Sequence, residues 1–176
     1  MLPTDTCTIR PMTSADLQTV LAWRNHPDIR RWMFTQHEIE LDEHRQWFER
    51  ASRDKKRRLL IVEELGSPFG YVQFSNVASD AVSDWGFYAA PEAMAGSGSK
   101  LGTAALAFAF QNLRLHKVCG QALDVNDASI GFHRKLGFRE EGVLRQQHRV
   151  DDRHVDVLCF GLLQREWSGI QTASSI

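Results

Sequence analysis

The stretch that decides the fold reads Asn126-Asp127-Ala128-Ser129-Ile130-Gly131-Phe132-His133-Arg134-Lys135-Leu136-Gly137-Phe138. It predicts a helix over residues 128–136, because Asn126 is a favourable N-cap and Gly137 a favourable residue just beyond a helix C-terminus. His133 falls on the same stripe of this helix as Phe132, so it lies on or beside the inward face. A histidine there is either a hydrogen-bonded core residue or a group that acts on a ligand.

A glycine- and serine-rich segment precedes this helix in the chain, between a predicted strand at 83–90 and a predicted helix at 101–113. Free backbone N–H groups at the start of a helix favour a phosphate, and glycine lets the main chain approach such an anion closely. Lys100 adds a positive charge. The segment is therefore predicted to be a loop that binds a pyrophosphate, although such turns also occur for structural reasons alone. The candidate residues are Ser97, Gly98, Ser99, Lys100, Leu101, Gly102 and Thr103.

Strands and helices alternate along the chain. Apolar spacing and turn residues predict strands at 7–12, 59–64, 70–74, 83–90, 117–125, 143–150 and 155–163, and helices at 15–23, 41–53, 101–113 and 128–136. Hairpins at both ends, with a strand–helix–strand–helix unit between them, indicate an α/β (α+β) fold with a mixed, mainly antiparallel central sheet and helices on both faces. We expect one domain over residues 1–167 and a weakly ordered tail at 168–176.

Composition and charge narrow the possible functions. The 176 residues are 43% hydrophobic, which is enough for a single core. Twenty-one basic and twenty-two acidic side chains leave a formal net charge of -1, so neither a nucleic-acid duplex nor an anionic membrane is an expected partner. The chain has no apolar run of about 18 residues and no signal-like N-terminus, so we expect a cytoplasmic protein. The three cysteines lack the spacing of a metal site, and no metal is expected.

Residues 126–138 follow the pattern N-x-x-S-x-x-x-H-x-K-x-G-F, which resembles the second signature of the GCN5-related N-acetyltransferase (GNAT) superfamily. His133 stands where that family usually has tyrosine. The glycine-rich segment resembles a family signature less closely, since Ser97 replaces an arginine or glutamine and Lys100 replaces a glycine, while Gly102 is retained. The resemblance implies the acyl-CoA N-acyltransferase fold and an enzyme that uses acetyl-CoA as its cosubstrate.

The resemblance also implies contacts with that cosubstrate. In the family, the strand before the glycine-rich segment parts from its neighbour, and its exposed backbone groups bind the pantetheine arm. The matching residues here are Phe87, Tyr88 and Ala89. Asn126 and Ser129 match positions that contact the cofactor arm, and Lys135 is the lysine of the motif. A structural alternative stays open, since Asn126 also serves as a helix cap.

Two residues are candidates for catalysis. At the family's tyrosine position His133 would point to the cofactor sulfur, where an imidazole can protonate the departing thiolate. The amine must lose a proton before it attacks the thioester, and Asp84 lies close to the position of a strand glutamate that serves as base in many family members. Asp84 is otherwise an exposed acid at a strand edge. Glu63 and Glu64 are weaker candidates, and only one of these neighbours can face the cleft.

The segment Trp23-Arg24-Asn25-His26-Pro27-Asp28-Ile29-Arg30-Arg31-Trp32-Met33-Phe34 bears on the acceptor. It resembles a narrower subgroup, the bacterial enzymes that acetylate the 4-amino group of a UDP-linked 4-amino-4,6-dideoxy-N-acetyl-altrosamine in pseudaminic acid biosynthesis. The resemblance implies a nucleotide sugar as substrate, with Arg30 and Arg31 as contacts for its phosphates. An apolar wall for the sugar would comprise Met33, Phe34, Trp47 and Tyr88.

Other acceptors and roles stay open at this point. Acetyltransferases of ribosomal-protein N-termini and of other small amines share parts of the same pattern. A non-catalytic acyl-CoA-binding domain is a further alternative, because His133 and Lys100 depart from the family signatures. A homodimer is an additional prediction.

Overall fold

The computed structural model describes residues 7–173, with the side chains of residues 7–168. Its strands are β1 Cys7–Pro11, β2 Arg58–Glu64, β3 Ser67–Ser75, β4 Val82–Ala89, β5 Lys117–Leu123, β6 Arg139–Val150 and β7 Arg153–Leu163. Its helices are α1 Leu17–Asn25, α2 Pro27–Arg30, α3 Leu41–Arg53, α4 Ser97–Ala107, α5 Asp127–Lys135 and α6 Gln164–Ala173. A 3-10 turn at Ser14–Asp16 leads into α1, and a π-helical turn at Phe108–Asn112 follows α4.

The strands form one seven-stranded sheet in the order β1-β2-β3-β4-β5-β7-β6. Neighbouring strands are antiparallel except β4 and β5, which are parallel and connected through α4. Leu65 and Gly66 adopt left-handed conformations in the turn between β2 and β3, and Asp151 does so between β6 and β7. The predicted mixed, mainly antiparallel sheet is therefore confirmed.

Alternate residues of β2 supply two separate cores, because side chains on a strand alternate between the faces of a sheet. Leu60 and Val62 belong to a core that α4, α5 and α6 cover. Leu59 and Ile61 belong to a smaller core beneath α1 and α3. Helices thus cover both faces, as the sequence predicts.

Strands β4 and β5 part in the middle of the sheet. Their register begins with Val82 opposite Lys117 and ends with Asp84 opposite Cys119. Beyond this point β4 continues to pair with β3, and β5 continues to pair with β7. The facing edges of the two strands therefore have no strand partner, and an extended ligand can hydrogen-bond to their backbone groups.

The start of one predicted helix is wrong. The helix predicted at 101–113 begins at Ser97 and continues beyond Ala107 as the π-helical turn Phe108–Asn112, so the predicted glycine-rich loop is the first part of α4. Gly96 has a left-handed φ of 88° at the N-cap, and the serines and glycine that follow it have low helix propensity, which obscures the helix start in the sequence. The sequence patterns also fail to predict α2 and α6.

The C-terminal helix enters the predicted tail. Helix α6 reaches Ala173, while residues 174–176 lie outside the described residues. The domain boundary after residue 167 stays a prediction.

Candidate active site

The gap between β4 and β5 opens into a cleft of about 790 Å³. Its walls are the unpaired halves of the two strands, the starts of α4 and α5, and the segment from Asp28 to Phe34. A cleft of this volume is typical of small-molecule sites. The predicted cofactor segments of β4, α4 and α5 all contribute to its lining.

The predicted cofactor residues divide into two groups. Those that line the cleft are Phe87, Tyr88, Ala89, Gly98, Leu101, Asn126 and Ser129. Those outside its lining are Ser97, Ser99, Lys100, Gly102, Thr103 and Lys135. Cofactor contacts by either group stay predictions. Asn126 also has the capping role considered above, because its Oδ1 accepts a hydrogen bond of 3.1 Å from the N–H of Ser129.

The first turn of α4 leaves two backbone amides for an anion. The N–H groups of Ser97 and Lys100 donate to the carbonyls of Met94 and Gly96, at 3.1 and 3.3 Å. No described residue accepts a hydrogen bond from the amide of Gly98 or Ser99. These two amides point out of a helix N-terminus, where a phosphate is favoured. The ammonium of Lys100 pairs with the carboxylate of Glu64, so its charge is already partly compensated.

Gly102 and Gly98 have different surroundings. A Cβ on Gly102 would lie 2.5 Å from Cδ1 of Leu136 and 2.9 Å from Cζ of Phe132, so a larger residue there would displace the ends of these two side chains of α5. A Cβ on Gly98 would meet Phe132 only at 3.8 Å, an ordinary contact. Gly102 therefore serves helix packing, and Gly98 faces the cleft.

His133 is buried against the cleft, with 1% of its surface exposed and its ring stacked on Phe160 at a centroid distance of 4.8 Å. Its Nδ1 lies 2.8 Å from the carbonyl oxygen of Ser129, and its Nε2 lies 3.2 Å from the indole nitrogen of Trp85. A carbonyl can only accept and an indole N–H can only donate, so Nδ1 carries the proton and Nε2 accepts.

The neutral form of His133 is further favoured by burial, which lowers its pKa, while the hydrogen bond to Ser129 partly opposes that shift. In this arrangement no N–H of the ring faces the cleft. The general-acid role predicted from the sequence requires a proton on Nε2, where Trp85 now donates, and it stays a prediction.

Asp84 lies at the closed end of the gap and lines the cleft. It precedes Trp85, which contacts His133, so Asp84 projects from the opposite face of the sheet. Its exposed carboxylate accepts a hydrogen bond of 3.2 Å from the side-chain amide of Asn76. Of the weaker candidates, Glu63 pairs with Arg10 at 2.7 Å and Glu64 pairs with Lys100, and neither lines the cleft.

A second cavity of about 400 Å³ adjoins the cleft on the face covered by α1 and α3. Trp47, Tyr71 and Tyr88 form aromatic parts of its wall. Burial raises the pKa of both tyrosine hydroxyls, so they stay protonated. The cavity shares lining residues with the cleft, among them Met33 and Tyr88.

Two buried polar atoms in the wall of this second cavity lack hydrogen-bond partners within the described part of the chain: Nη1 of Arg24 and Nε2 of His44. Desolvation lowers the pKa of both groups. An unpaired buried polar group costs about 1–3 kcal/mol, so these atoms favour a ligand that supplies hydrogen-bond partners. No sequence motif indicates either residue as a ligand contact. A polar residue on the otherwise apolar, inward face of a predicted helix is the pattern that could have indicated them.

The predicted acceptor residues are only partly brought together. Met33 and Tyr88 line both cavities, Phe34 lines the cleft, and Trp47 lines the second cavity. Arg30 and Arg31 line neither cavity. The guanidinium of Arg30 lies 3.5 Å from Glu38, and that of Arg31 lies 3.4 Å from Asp28 and 5.1 Å from the ring centroid of Trp32.

No group of three or more His, Cys, Asp or Glu side chains among the described residues could hold a metal ion. In the same part of the chain, no helix is long and apolar enough to cross a membrane.

The sheet parts at its central parallel strands beside the N-terminus of α4, which is the architecture that the sequence resemblance implies. The family model described as "Acetyltransferase (GNAT) domain" matches residues 7–139, so the chain belongs to the GNAT acetyltransferase family. The expectation of an acetyltransferase that uses acetyl-CoA is confirmed.

The individual proteins that the chain resembles have low sequence identity to it or match only a short stretch. Acetyltransferase PseH of Campylobacter jejuni is 24% identical over 127 residues, which cover 72% of this chain and 79% of that protein. A putative ribosomal N-acetyltransferase, YdaF of Bacillus subtilis, is 36% identical over 64 residues, or 36% of this chain and 35% of that protein. Among solved structures, a spermidine N-acetyltransferase from Vibrio cholerae in complex with CoA and spermine superposes with a TM-score of 0.86 at 23% identity. That match covers 94% of this chain and 99% of the other.

Proposed function

We propose that this acetyltransferase transfers the acetyl group of acetyl-CoA directly to the 4-amino group of a UDP-linked amino-dideoxysugar. The observation that carries the proposal is the unpaired guanidinium nitrogen of Arg24 in the wall of the second cavity, with the unpaired Nε2 of His44 in the same wall.

The charge of this cavity favours an acceptor that brings oxygen atoms. Arg24 is a cation whose pKa desolvation lowers, while the carboxylate of Glu43 partly opposes that shift without forming an ion pair with the guanidinium in the described part of the chain. Glu43, which also lines the cavity, lies 3.0 Å from Nε2 of His37. A phosphate, or the carbonyl of an N-acetyl group, would satisfy Arg24. A polyamine would bring further positive charges to a cation that is already partly desolvated.

The sequence supports the same acceptor class. The segment from Trp23 to Phe34 resembles the enzymes that acetylate UDP-linked 4-amino sugars, and the match to acetyltransferase PseH covers most of the chain. Arg30 and Arg31 belong to this segment, but they pair with Glu38 and Asp28. A role for these two arginines in phosphate binding requires that they leave those partners.

In the proposed reaction the amine lone pair attacks the thioester carbon, and the C–S bond then breaks with its electron pair on sulfur. Asp84 takes the amine proton, directly or through a water molecule, from the acceptor face of the sheet. His133 remains the candidate from the sequence for the proton that the thiolate receives. Cytoplasmic location and a homodimer likewise stay predictions.

The proposal is tested by thiol release from acetyl-CoA with UDP-linked 4-amino sugars, spermidine and ribosomal-protein N-terminal peptides. We expect the nucleotide sugar to be acetylated in preference. Replacing Arg24→Gln removes a charged hydrogen bond worth about 1.5–3 kcal/mol, so KM for the sugar should rise by roughly tenfold or more while KM for acetyl-CoA changes little.

Arg45→Gln is a matched control, because Arg45 is exposed on α3 and lines neither cavity. Turnover of spermidine or a peptide, with none of any nucleotide sugar, would overturn the acceptor assignment. Binding of acetyl-CoA without thiol release for any amine would indicate a domain that has lost turnover.

A further inference from the structure

The cleft and the second cavity meet at five residues that line both: Met33, Gln73, Gly86, Phe87 and Tyr88. An amine held in the second cavity reaches a thioester held in the cleft at this junction. Two of the five side chains carry polar atoms, those of Gln73 and Tyr88. The Tyr88 hydroxyl interacts electrostatically with Arg24, which lines only the second cavity. Of the two polar side chains at the junction, Gln73 is therefore the one to which no function has yet been given.

The side chain of Gln73 lies over the backbone of β4. Gln73 of β3 pairs with Gly86 of β4. Because Gly86 has no side chain, the amide of Gln73 occupies the space above it, and a Cβ there would lie 3.3 Å from Nε2. Gly86 also lies just beyond Asp84, where β4 loses its partner β5. The NH₂ group of Gln73 thus covers the β4 side of the gap.

A neighbouring hydroxyl fixes the direction of this amide. The O–H of Tyr71 donates to Oε1 of Gln73 at 3.1 Å, which leaves the NH₂ end as the free donor. No described residue accepts a hydrogen bond from that NH₂ group. Tyr71 is buried, and burial raises the pKa of its hydroxyl, so it remains a donor at neutral and moderately alkaline pH. Tyr71 is in this sense a positioning residue.

We propose that the NH₂ group of Gln73 donates a hydrogen bond to the thioester carbonyl oxygen and stabilises the oxyanion that forms there. When the amine nitrogen bonds to the carbonyl carbon, the π electron pair moves onto oxygen. When the carbonyl re-forms, the C–S bond breaks and sulfur leaves with that bond's electron pair; the amine proton passes to Asp84 or water. A donor already aimed at the oxygen needs no reorganisation during these steps. The proposal rests on the direct transfer proposed above, but it does not depend on which amine is the acceptor.

Three variants test the proposal. Gln73→Leu keeps the size of the side chain and removes the donor, Gln73→Glu replaces the donor with a negative charge, and Tyr71→Phe removes only the group that orients the amide. Loss of one donor to an oxyanion typically lowers kcat by about 10² to 10³. We expect at least a tenfold loss in Gln73→Leu, a larger loss in Gln73→Glu and a smaller loss in Tyr71→Phe, with little change in KM for acetyl-CoA.

A spectroscopic measurement separates this role from a packing role. Infrared difference spectra of bound acetyl-CoA, labelled with carbon-13 at the carbonyl, report hydrogen bonding to that oxygen. The carbonyl frequency should rise in Gln73→Leu relative to the parent protein. Unchanged frequency and unchanged kcat in a folded Gln73→Leu protein would overturn the proposal.

The acceptor assignment is tested separately by hydroxylamine, a small nucleophile that is largely uncharged at neutral pH. Acetyl transfer to hydroxylamine passes through the same oxyanion without using the second cavity for a sugar. If Gln73→Leu slows this reaction while no nucleotide sugar is acetylated by the parent, the role of Gln73 stands and the acceptor is wrong. If hydroxylamine transfer is as fast in Gln73→Leu as in the parent, the role of Gln73 is wrong whatever the acceptor.

Discussion

The indole N–H of Trp85 on β4 donates a hydrogen bond of 3.2 Å to Nε2 of His133 on α5. Gly120 of β5 lies beneath this pair, and a Cβ at that position would clash with both ring nitrogens. The hydrogen bond therefore connects the strand on one side of the gap to the helix that follows the strand on the other side. It fixes the tautomer of His133 and the orientation of Trp85 together.

His133→Phe should cost more in stability than in catalysis. The variant leaves the buried N–H of Trp85 without an acceptor, which costs about 1–3 kcal/mol of unfolding free energy and is measurable by denaturant titration. Because both ring nitrogens of His133 are already occupied, we expect kcat to stay within about tenfold of the parent value, a smaller loss than general-acid catalysis typically contributes.

Trp85→Phe is the matched control, since it breaks the same hydrogen bond from the other side. Similar kinetics in both variants would assign His133 to packing. A fall in kcat of about 10² or more in His133→Phe alone, with acetyl-CoA affinity retained, would establish the general-acid role that the sequence predicts.

Acidification should destabilise the protein through two buried histidines. Burial lowers the folded-state pKa of His133 and of His44 below the ordinary value of 6.5. The unfolded chain then binds more protons than the folded protein, so stability is full above pH 6.5 and falls as the pH drops toward the folded pKa values. The melting temperature, measured between about pH 5 and 8, should decrease on the acid side. This decrease should be shallower in His133→Phe, and an equally steep decrease would contradict the assignment.

Asp84→Asn should lower kcat by roughly 10² to 10⁴, because the amide cannot take the amine proton. The defect should shrink at alkaline pH, where more of the amine loses its proton to water before it binds. The pH dependence of the loss in kcat is measured from steady-state rates of Asp84→Asn, with Asn76→Ala as the control. Asn76→Ala removes the hydrogen-bond donor to Asp84 and keeps the carboxylate, so its rates should stay near the parent's. A pH-independent defect in Asp84→Asn would point to a structural role.

Two glycines of α4 should respond differently to substitution. Gly102→Val should destabilise the fold by about 1–3 kcal/mol, because a side chain there overlaps Leu136 and Phe132. Gly98→Val should leave the fold intact and weaken acetyl-CoA binding, since Gly98 lines the cleft. In the parent, acetyl-CoA at a hundredfold excess over Kd should stabilise the protein by about 2.7 kcal/mol, a gain that thermal unfolding detects. If acetyl-CoA stabilises Gly98→Val as much as it stabilises the parent protein, this part of α4 does not bind the cofactor.

The fold is largely predictable from the sequence, because its signals are local. Asn126 and Gly137 mark the ends of α5 through their capping chemistry, and the Asp151-Asp152 turn marks the last hairpin. The start of α4 is not predictable in this way. Its first turn consists of serine and glycine, which are common in loops, and the left-handed φ of Gly96 is visible only in the structure.

The site is less predictable, because it depends on contacts between distant segments. The family motif locates His133, but its hydrogen bonds to Trp85 and Ser129 decide which nitrogen carries the proton. Arg24 lies within the segment that suggests the acceptor, yet its unpaired nitrogen appears only once α1 is packed beside the second cavity. No sequence pattern indicates Gln73, because its proposed role depends on its pairing with Gly86 on the neighbouring strand, where no side chain fills the space.

The early end of the β4–β5 register gives this sheet two additional edges in its interior. Amides in the centre of a sheet ordinarily exchange with solvent slowly, but those of β4 and β5 that face the gap should exchange at rates typical of an outer strand. An extended chain that enters the gap adds to the sheet as a further strand, and the pantetheine arm of the cosubstrate has that shape. While the cosubstrate is absent, the same two edges are open to a strand from another molecule. We therefore expect cosubstrate bound in the gap to protect the protein against self-association, and acetyl-CoA or CoA to be a useful additive when the protein is purified and concentrated.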